Sequence, residues 1–178
     1  EDKLNAQIVI GYIGFDPTAP SLTLGNYVQV MLLTHFQRCG HRPIVLMGGA
    51  TGRIGDPSGK DAERDLKSYD ELDRNLAHQV NQMTRLLDFD NKENGAILVN
   101  NLDFYVDMNA LTFLRDVGKH LTINYMMSKE SVKRRVEIGM SYTEFSYQLL
   151  QAYDYLRLYR DYGCILQMGG SDQWGNIT

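Results

Sequence analysis

The sequence predicts an α/β fold: a Rossmann-like parallel sheet flanked by helices. Three observations lead there. Apolar runs of four to eight residues at Ile8–Phe15, Pro43–Met47, Ala96–Val99 and Cys164–Met168 have the length and continuous apolarity of strands buried on both faces. Segments of helical spacing lie between them and stop at Gly40, Gly118 and Gly163, where a glycine ends a helix without steric cost. The order strand, loop, helix, strand then requires a crossover connection, and with it a parallel sheet.

The first strand, Ile8–Phe15, runs into a tight loop stiffened by Pro17 and Pro20. A helix follows from Leu24 to Cys39, with Ser21 or Thr23 as its cap. A strand feeding a helix start presents unpaired N–H groups and a positive dipole end, which suits a phosphate. Gly14 and Gly25 leave room there for a ligand. An ordinary strand-to-helix turn would look the same by spacing alone.

After the second strand, the stretch Gly48 to Lys60 holds five glycines in thirteen positions and has no apolar period. Long ordered loops of this sort tend to carry function. It is not a Walker A loop, because the spacing fails at Ile54 and Asp61 stands where a Ser or Thr is needed. Ser68 and Glu71 form the pattern of a capping box for a helix to about Leu87. The third strand, Ala96–Val99, precedes a helix from Asp107 to Val117 and a basic, Met-rich helical segment from Thr122 to Val136. Ser141 and Glu144 form a second capping-box pattern, for a helix that runs to Tyr162. Tyr147, Gln151 and Asp154 lie at i, i+4 and i+7 of that helix, on one face among apolar neighbours. They either point into the protein, where buried polar groups need partners, or form a solvated stripe. The fourth strand ends at Gly169, where ligands bind in open α/β sheets.

The chain has 178 residues, 43% of them hydrophobic, and a formal charge of −4. That charge argues against broad non-specific nucleic-acid binding, though not against a local basic face. Cys39 and Cys164 give no disulfide framework, and each adjoins an apolar segment. Buried thiols in a reducing, cytoplasmic compartment are expected. No apolar run approaches the ~18 residues of a membrane span, and the polar, acidic start does not resemble a signal peptide. His35, His41, His78 and His120 lack metal-ligand spacing, and no Ser-His-Asp or Cys-His pattern emerges.

The stretch from Tyr12-Ile-Gly-Phe-Asp-Pro-Thr18 to Asn26 resembles the first signature of class I aminoacyl-tRNA synthetases in the form used by the tyrosyl enzymes, Y-x-G-[FI]-D-P-T-A-x-S-L-H-[IL]-G-H. Thr23-Leu-Gly-Asn26 stands where that signature has His-x-Gly-His, in a form similar to the related tryptophanyl enzymes. Gly48 to Lys60 is similar to the tyrosyl pattern G-G-A-T-G-x-I-G-D-P-S-G-K. The segments Phe113 to His120, Tyr125 to Met127, Phe145 to Tyr147, Gln151 to Asp154 and Gly169 to Asn176 are similar to later tyrosyl blocks. Leu102-Asp-Phe104 departs from the family's aromatic-Asp-Trp run.

The resemblance implies an enzyme that joins tyrosine to tRNA(Tyr) through a tyrosyl-adenylate, with Mg-ATP as a substrate and no permanent cofactor. It implies that Tyr12 and Asp154 bind the substrate phenol, and that Tyr147, Gln151 and Asp56 hold its ammonium group. Gln173 would sit near its carboxylate, and Asn101 would support the pocket. Gly14, Asp16, Gly25, Gly170 and Asp172 would line the nucleotide. Thr18, Thr23 and Asn26 would face the phosphates. Lys60 and Arg64 would meet pyrophosphate, unless they belong to a solvated charged loop. The region Phe113 to Met127 would supply a homodimer interface. Residues 1–178 read as a single catalytic domain, stopping short of the family's second signature and anticodon-binding domain. Two other readings stay open: a non-catalytic ligand- or RNA-binding paralogue, and a tryptophan-specific relative.

Overall fold

The computed structural model describes residues 2–57 and 66–173, except for a few side chains. A four-stranded sheet stands at its centre: β1 (Ile10–Phe15), β2 (Arg42–Met47), β3 (Ile97–Asn100) and β4 (Leu166–Gln167). The strand order is β3-β2-β1-β4, and every pairing is parallel. Seven helices accompany it among the described residues: α1 (Asp2–Ala6), α2 (Leu24–Arg38), α3 (Tyr69–Met83), α4 (Ala110–Asp116), α5 (Ile123–Ser128), α6 (Glu130–Ile138) and α7 (Tyr142–Tyr162).

Alternation along the strands divides the core in two. Ile13, Phe15, Val45 and Met47 pack with Val30 and Leu33 of α2 and Met83 of α3 on one face. Tyr12, Ile44, Leu46 and Val99 pack with Leu158 of α7 and Cys164 on the other. The chain builds outward from β1 to β2 to β3, then returns through α7 to the opposite side of β1. The order therefore reverses between β1 and β4, and a crevice opens at the carboxyl ends of those two strands.

Every predicted strand forms, with shifted edges. β4 keeps two residues of the expected five, because it pairs only at Gly11 with Leu166 and at Tyr12 with Gln167. The expected helix from Asp107 starts at Ala110, where the Asn109 side chain accepts from the Thr112 N–H. The segment from Thr122 to Val136, expected to be helical, forms two helices. Lys129 breaks it with ψ at 135°, just after Ser128 turns its hydroxyl onto the Tyr125 carbonyl at 2.7 Å, a local bond that competes with the helical ladder. Cys164 is buried as expected, but Cys39 is exposed, because it forms the C-cap of α2 rather than part of its apolar face.

The capping boxes are distributed differently from the expectation. The Ser68 and Ser141 hydroxyls accept the N–H groups of Glu71 and Glu144. The carboxylate of Glu71 meets Lys67, and that of Glu144 pairs with Arg135 at 2.7 Å. The full reciprocal box occurs at Thr23. Its hydroxyl accepts from the Asn26 N–H at 3.2 Å, and the Asn26 side-chain oxygen accepts from the Thr23 N–H at 3.0 Å. α7 stops at Gly163, whose φ of 69° lies in the left-handed region that other residues adopt at a cost of about 1–2 kcal/mol.

Candidate active site

A cavity of about 520 Å³ fills the crevice at the ends of β1 and β4. Fourteen of the residues singled out from sequence line it. Tyr12 and Gly14 come from β1, Asp16 and Thr18 from the loop after it, and Thr23, Gly25 and Asn26 from the start of α2. Asp56 and Asn101 lie beyond β2 and β3. Tyr147, Gln151 and Asp154 come from α7, and Gly170 and Gln173 follow β4. Lys60 and Arg64 lie outside the described residues, as does the side chain of Asp172.

The inward face of α7 is the polar one. Asp154 is 1% exposed and Tyr147 is 6% exposed, so the solvated-stripe alternative is excluded. The reason is the network that receives them. The Tyr147 hydroxyl donates to Asp16 Oδ2 at 3.0 Å. Asp16 Oδ1 accepts from Thr51 Oγ1 at 2.6 Å. Asn101 Nδ2 donates to Thr51 Oγ1 at 3.0 Å and to Asp154 Oδ2 at 2.8 Å. The Asn101 side-chain oxygen accepts from the Ala50 N–H at 2.7 Å, which ties the loop after β2 to the loop after β3. Glycine is required at position 48 by close approach, since a Cβ there would overlap the Asp16 carboxylate and the Thr51 hydroxyl. On the far side, Gln173 Nε2 donates to Asp56 Oδ2 at 2.9 Å.

Two buried acceptors or donors in this lattice lack partners among the described residues: the Tyr12 hydroxyl and Gln151 Oε1. Such atoms are rare in folded proteins, and in a cavity they call for a ligand. Burial, followed by the nearby Asp154 charge, raises the Tyr12 phenol well above its usual range. Burial pushes Asp154 up to about 7, against the hydrogen bonds from Asn101 and Tyr105, which lower it. Asp16, Asp56 and Asp154 make the cavity wall anionic. It is suited to a small molecule that carries a cation at one end and a hydrogen-bonding group at the other.

Sequence reasoning missed several supporting residues. α3 staples the loop before α2: Asn75 Nδ2 donates to the Pro17 carbonyl at 3.1 Å, Gln79 Nε2 to Ala19 at 2.8 Å, and Gln82 Nε2 to Pro20 at 3.1 Å. Their spacing of i, i+4 and i+7 was the available signal. Thr51 carried no periodic signal, nor did Tyr105, whose hydroxyl lies 2.7 Å from Asp154 Oδ1.

The family profile for tRNA synthetases class I (W and Y) matches residues 5–178. The chain belongs to that family. Within the class I synthetases it is 57% identical over 178 residues to tyrosine–tRNA ligase 2 of Enterococcus faecalis, covering all of this chain and 42% of that relative. It is 58% identical over 183 aligned positions to tyrosine–tRNA ligase of Porphyromonas gingivalis, covering all of this chain and 43% of the relative. The C-terminally truncated mitochondrial tyrosyl-tRNA synthetase of Aspergillus nidulans superposes with a TM-score of 0.86 at 35% identity, over 95% of this chain and 50% of that one. The chain thus spans less than half the length of these curated relatives. The Rossmann-like class of the sheet agrees with the expectation from sequence.

Proposed function

We propose that residues 1–178 form the nucleotide-binding catalytic domain of a tyrosine–tRNA ligase. In this reading the protein activates L-tyrosine with ATP and passes the tyrosyl group to tRNA(Tyr). The observation that carries it is the Tyr12 hydroxyl, which has no partner among the described residues, lines the same cavity as Asp154 and feels its charge. A substrate phenol between them would donate to Asp154 and accept from Tyr12. At the other end Asp56, Tyr147 and Gln151 would surround the ammonium, with Gln151 Oε1 finding its missing donor there. Gln173 would lie beside the carboxylate.

The tyrosine carboxylate would then attack the α-phosphorus of ATP. A bond forms between a carboxylate oxygen and phosphorus, the bond to the bridging oxygen breaks, and pyrophosphate leaves with that electron pair. A 3′-terminal hydroxyl of the tRNA would then attack the carbonyl carbon of tyrosyl-adenylate, losing its proton as the ester bond forms, and AMP would leave with the electron pair of the broken bond between that carbon and the phosphate oxygen. Such a step needs positioning and charge stabilisation, not a protein nucleophile. Gly14, Asp16, Gly170 and Asp172 would line the nucleotide. The α2 N-terminus would face its phosphates, with Thr18, Thr23, Gly25 and Asn26. The Thr23–Asn26 box fixes the Asn26 amide oxygen on the backbone and leaves its NH₂ group to serve as a donor. Lys60 and Arg64 would meet pyrophosphate. No group of three or more His, Cys, Asp or Glu side chains among the described residues is placed to hold a metal, so magnesium would arrive with the nucleotide.

The same reading includes a cytoplasmic homodimer. Val106, Leu111, Leu114 and Ile123 are exposed apolar residues on and around α4 and α5, a patch that an isologous interface would bury. Equilibrium sedimentation at micromolar concentration checks this, and a monomer would count against it. No helix among the described residues is long and apolar enough to cross a membrane.

Tyrosine-dependent ATP–pyrophosphate exchange tests the activity. Exchange with tyrosine supports the ligase; absence of exchange with any aromatic amino acid moves the reading to a non-catalytic paralogue. Thr23→Ala is expected to slow activation more than it weakens tyrosine binding. It removes a helix cap worth about 1 kcal/mol and frees the Asn26 amide to turn. Single-turnover kinetics separates the two. Loss of tyrosine affinity with an unchanged rate would mean that this helix start does not serve the phosphates.

A further inference from the structure

Asp154 is held by a partner that no motif singled out. Tyr105 follows the 3₁₀ turn Asn101–Phe104 beyond β3. Its ring lies against Tyr153 at 5.7 Å and Phe113 at 6.2 Å between centroids. Its hydroxyl is 2.7 Å from Asp154 Oδ1 and 3.0 Å from the Leu150 carbonyl. Asn101 holds the other carboxylate oxygen. Tyr105 is not among the residues lining the cavity, so it meets the carboxylate from the side away from the substrate.

We propose that Tyr105 is a specificity-determining positioning residue: its phenol clamps Asp154 Oδ1 from behind, so that the carboxylate presents its remaining lone pairs to a substrate hydroxyl in a fixed direction. This rests on the reading that Asp154 recognises the phenol of tyrosine.

The hydroxyl has one hydrogen and two acceptors within reach. When Asp154 is ionised, the stronger, charge-assisted bond draws that hydrogen to Oδ1. When Asp154 is protonated, the hydrogen can turn to the Leu150 carbonyl. Tyr105 therefore stabilises the ionised carboxylate selectively, and that form is the stronger, charge-assisted acceptor for a substrate phenol. Asn101 also favours the ionised form through its bond to Oδ2. Asp16, in the loop after β1, opposes ionisation. Tyr12 on β1 and Tyr147 on α7 feel the charge of Asp154 but make no hydrogen bond to it.

The test uses Tyr105→Phe in the intact protein. This change deletes one oxygen and keeps the ring packing. Equilibrium binding of tyrosine and of phenylalanine is measured between pH 5.5 and 8.5. Tyrosine affinity at pH 7 is expected to fall roughly tenfold, in line with loss of a hydrogen bond to a charged group, while phenylalanine affinity stays within about twofold. The acid limb of the tyrosine profile is expected to move to higher pH, because Asp154 loses a donor that favours its ionised form. Phe113→Leu disturbs the packing around the Tyr105 ring without touching the hydroxyl, and is expected to leave the tyrosine-to-phenylalanine ratio and the profile unchanged.

If Phe113→Leu shifts the ratio as far as Tyr105→Phe does, the effect is packing and the proposal is overturned. Equal losses for both amino acids, or an unmoved pH profile, overturn it as well. Asp154→Asn separates this proposal from the reading beneath it. If that variant keeps the preference for tyrosine, the reading fails. If it loses the preference while Tyr105→Phe keeps it, only the proposal about Tyr105 fails.

Discussion

Asp154→Ala is expected to remove most of the preference for tyrosine over phenylalanine in a competition binding assay. The two amino acids differ by one hydroxyl, which an apolar pocket separates poorly. A pocket with buried polar groups separates them well, because phenylalanine leaves those groups unpaired. Asp154 is 1% exposed, so an acceptor left unmet there is costly. A hydrogen bond to a charged group contributes about 1.5–3 kcal/mol, which is roughly 10- to 150-fold in affinity. Tyr12→Phe removes a neutral donor and should cost tyrosine less, about 0.5–1.5 kcal/mol. Equal losses for the two amino acids in Asp154→Ala would mean that Asp154 holds the fold and does not read the substrate.

The same carboxyl gives a stability signature with a definite sign. Burial raises its folded-state pKa to about 7, above an unfolded value of about 3.9. Protonation therefore favours the ligand-free fold. The contribution is fully present below about pH 4 and is lost as pH rises to about 7. Asp154→Asn is isosteric, and its amide can donate toward the Tyr105 oxygen. It should raise the melting temperature of the ligand-free protein at pH 8 and leave it nearly unchanged at pH 4. A melting-temperature difference that does not vary with pH would contradict this.

The second large effect is on stability, at the start of α7. Arg135 and Glu144 form a bidentate pair, Nε to Oε1 at 2.7 Å and Nη2 to Oε2 at 2.9 Å, with side chains 4% and 2% exposed. Arg135 Nη2 also donates to the Gly139 carbonyl at 3.0 Å, which closes the turn between α6 and α7. Removing one partner leaves the other charge buried, at a cost of about 3–5 kcal/mol. For a domain of this size each kcal/mol moves the melting temperature by about 2–4 °C, so Glu144→Ala should lower it by roughly 6–20 °C. Replacing both partners with apolar residues, Arg135→Met with Glu144→Leu, should recover much of that loss. Thermal melts of the single and double variants decide it. A single variant within about 2 °C of the parent would mean that the pair is dispensable. Function is coupled to this pair because Glu144, Tyr147, Gln151 and Asp154 share one face of α7. The clamp fixes the rotation of the helix that carries the site.

Patterning within the sequence reached far into this site. Tyr147, Gln151 and Asp154 declared a common face through the 3.6-residue period, and the fold buries that face. The alternation of Tyr12 and Ile13, and the glycine stops at Gly40 and Gly163, are local properties of the chain. So is the preference of Thr23 for a helix start. These features need no distant partner to be expressed, which is why the strands, the main helices and the crevice at the end of β1 were legible in the order of residues alone.

What remained depended on partners far apart in the chain. Nothing local says that Glu144, placed as the second member of a capping box, will instead meet Arg135, or that Asn26 will close a reciprocal box. Asn75, Gln79 and Gln82 read as an ordinary polar stripe until α3 lands on the loop that precedes α2. Tyr105 sits in a segment without period, and its partner is 49 residues away. Period and glycine placement, written residue by residue, marked the strands, the helix stops and the polar face of α7; the other cavity residues, Tyr12 and Asp56 among them, followed from the resemblance to the tyrosyl enzymes. The tertiary structure sets which polar groups satisfy one another and which, such as the Tyr12 hydroxyl and Gln151 Oε1, have no partner among the described residues. That allocation is made by burial, which removes water as the competing partner once the sheet and α7 close over them.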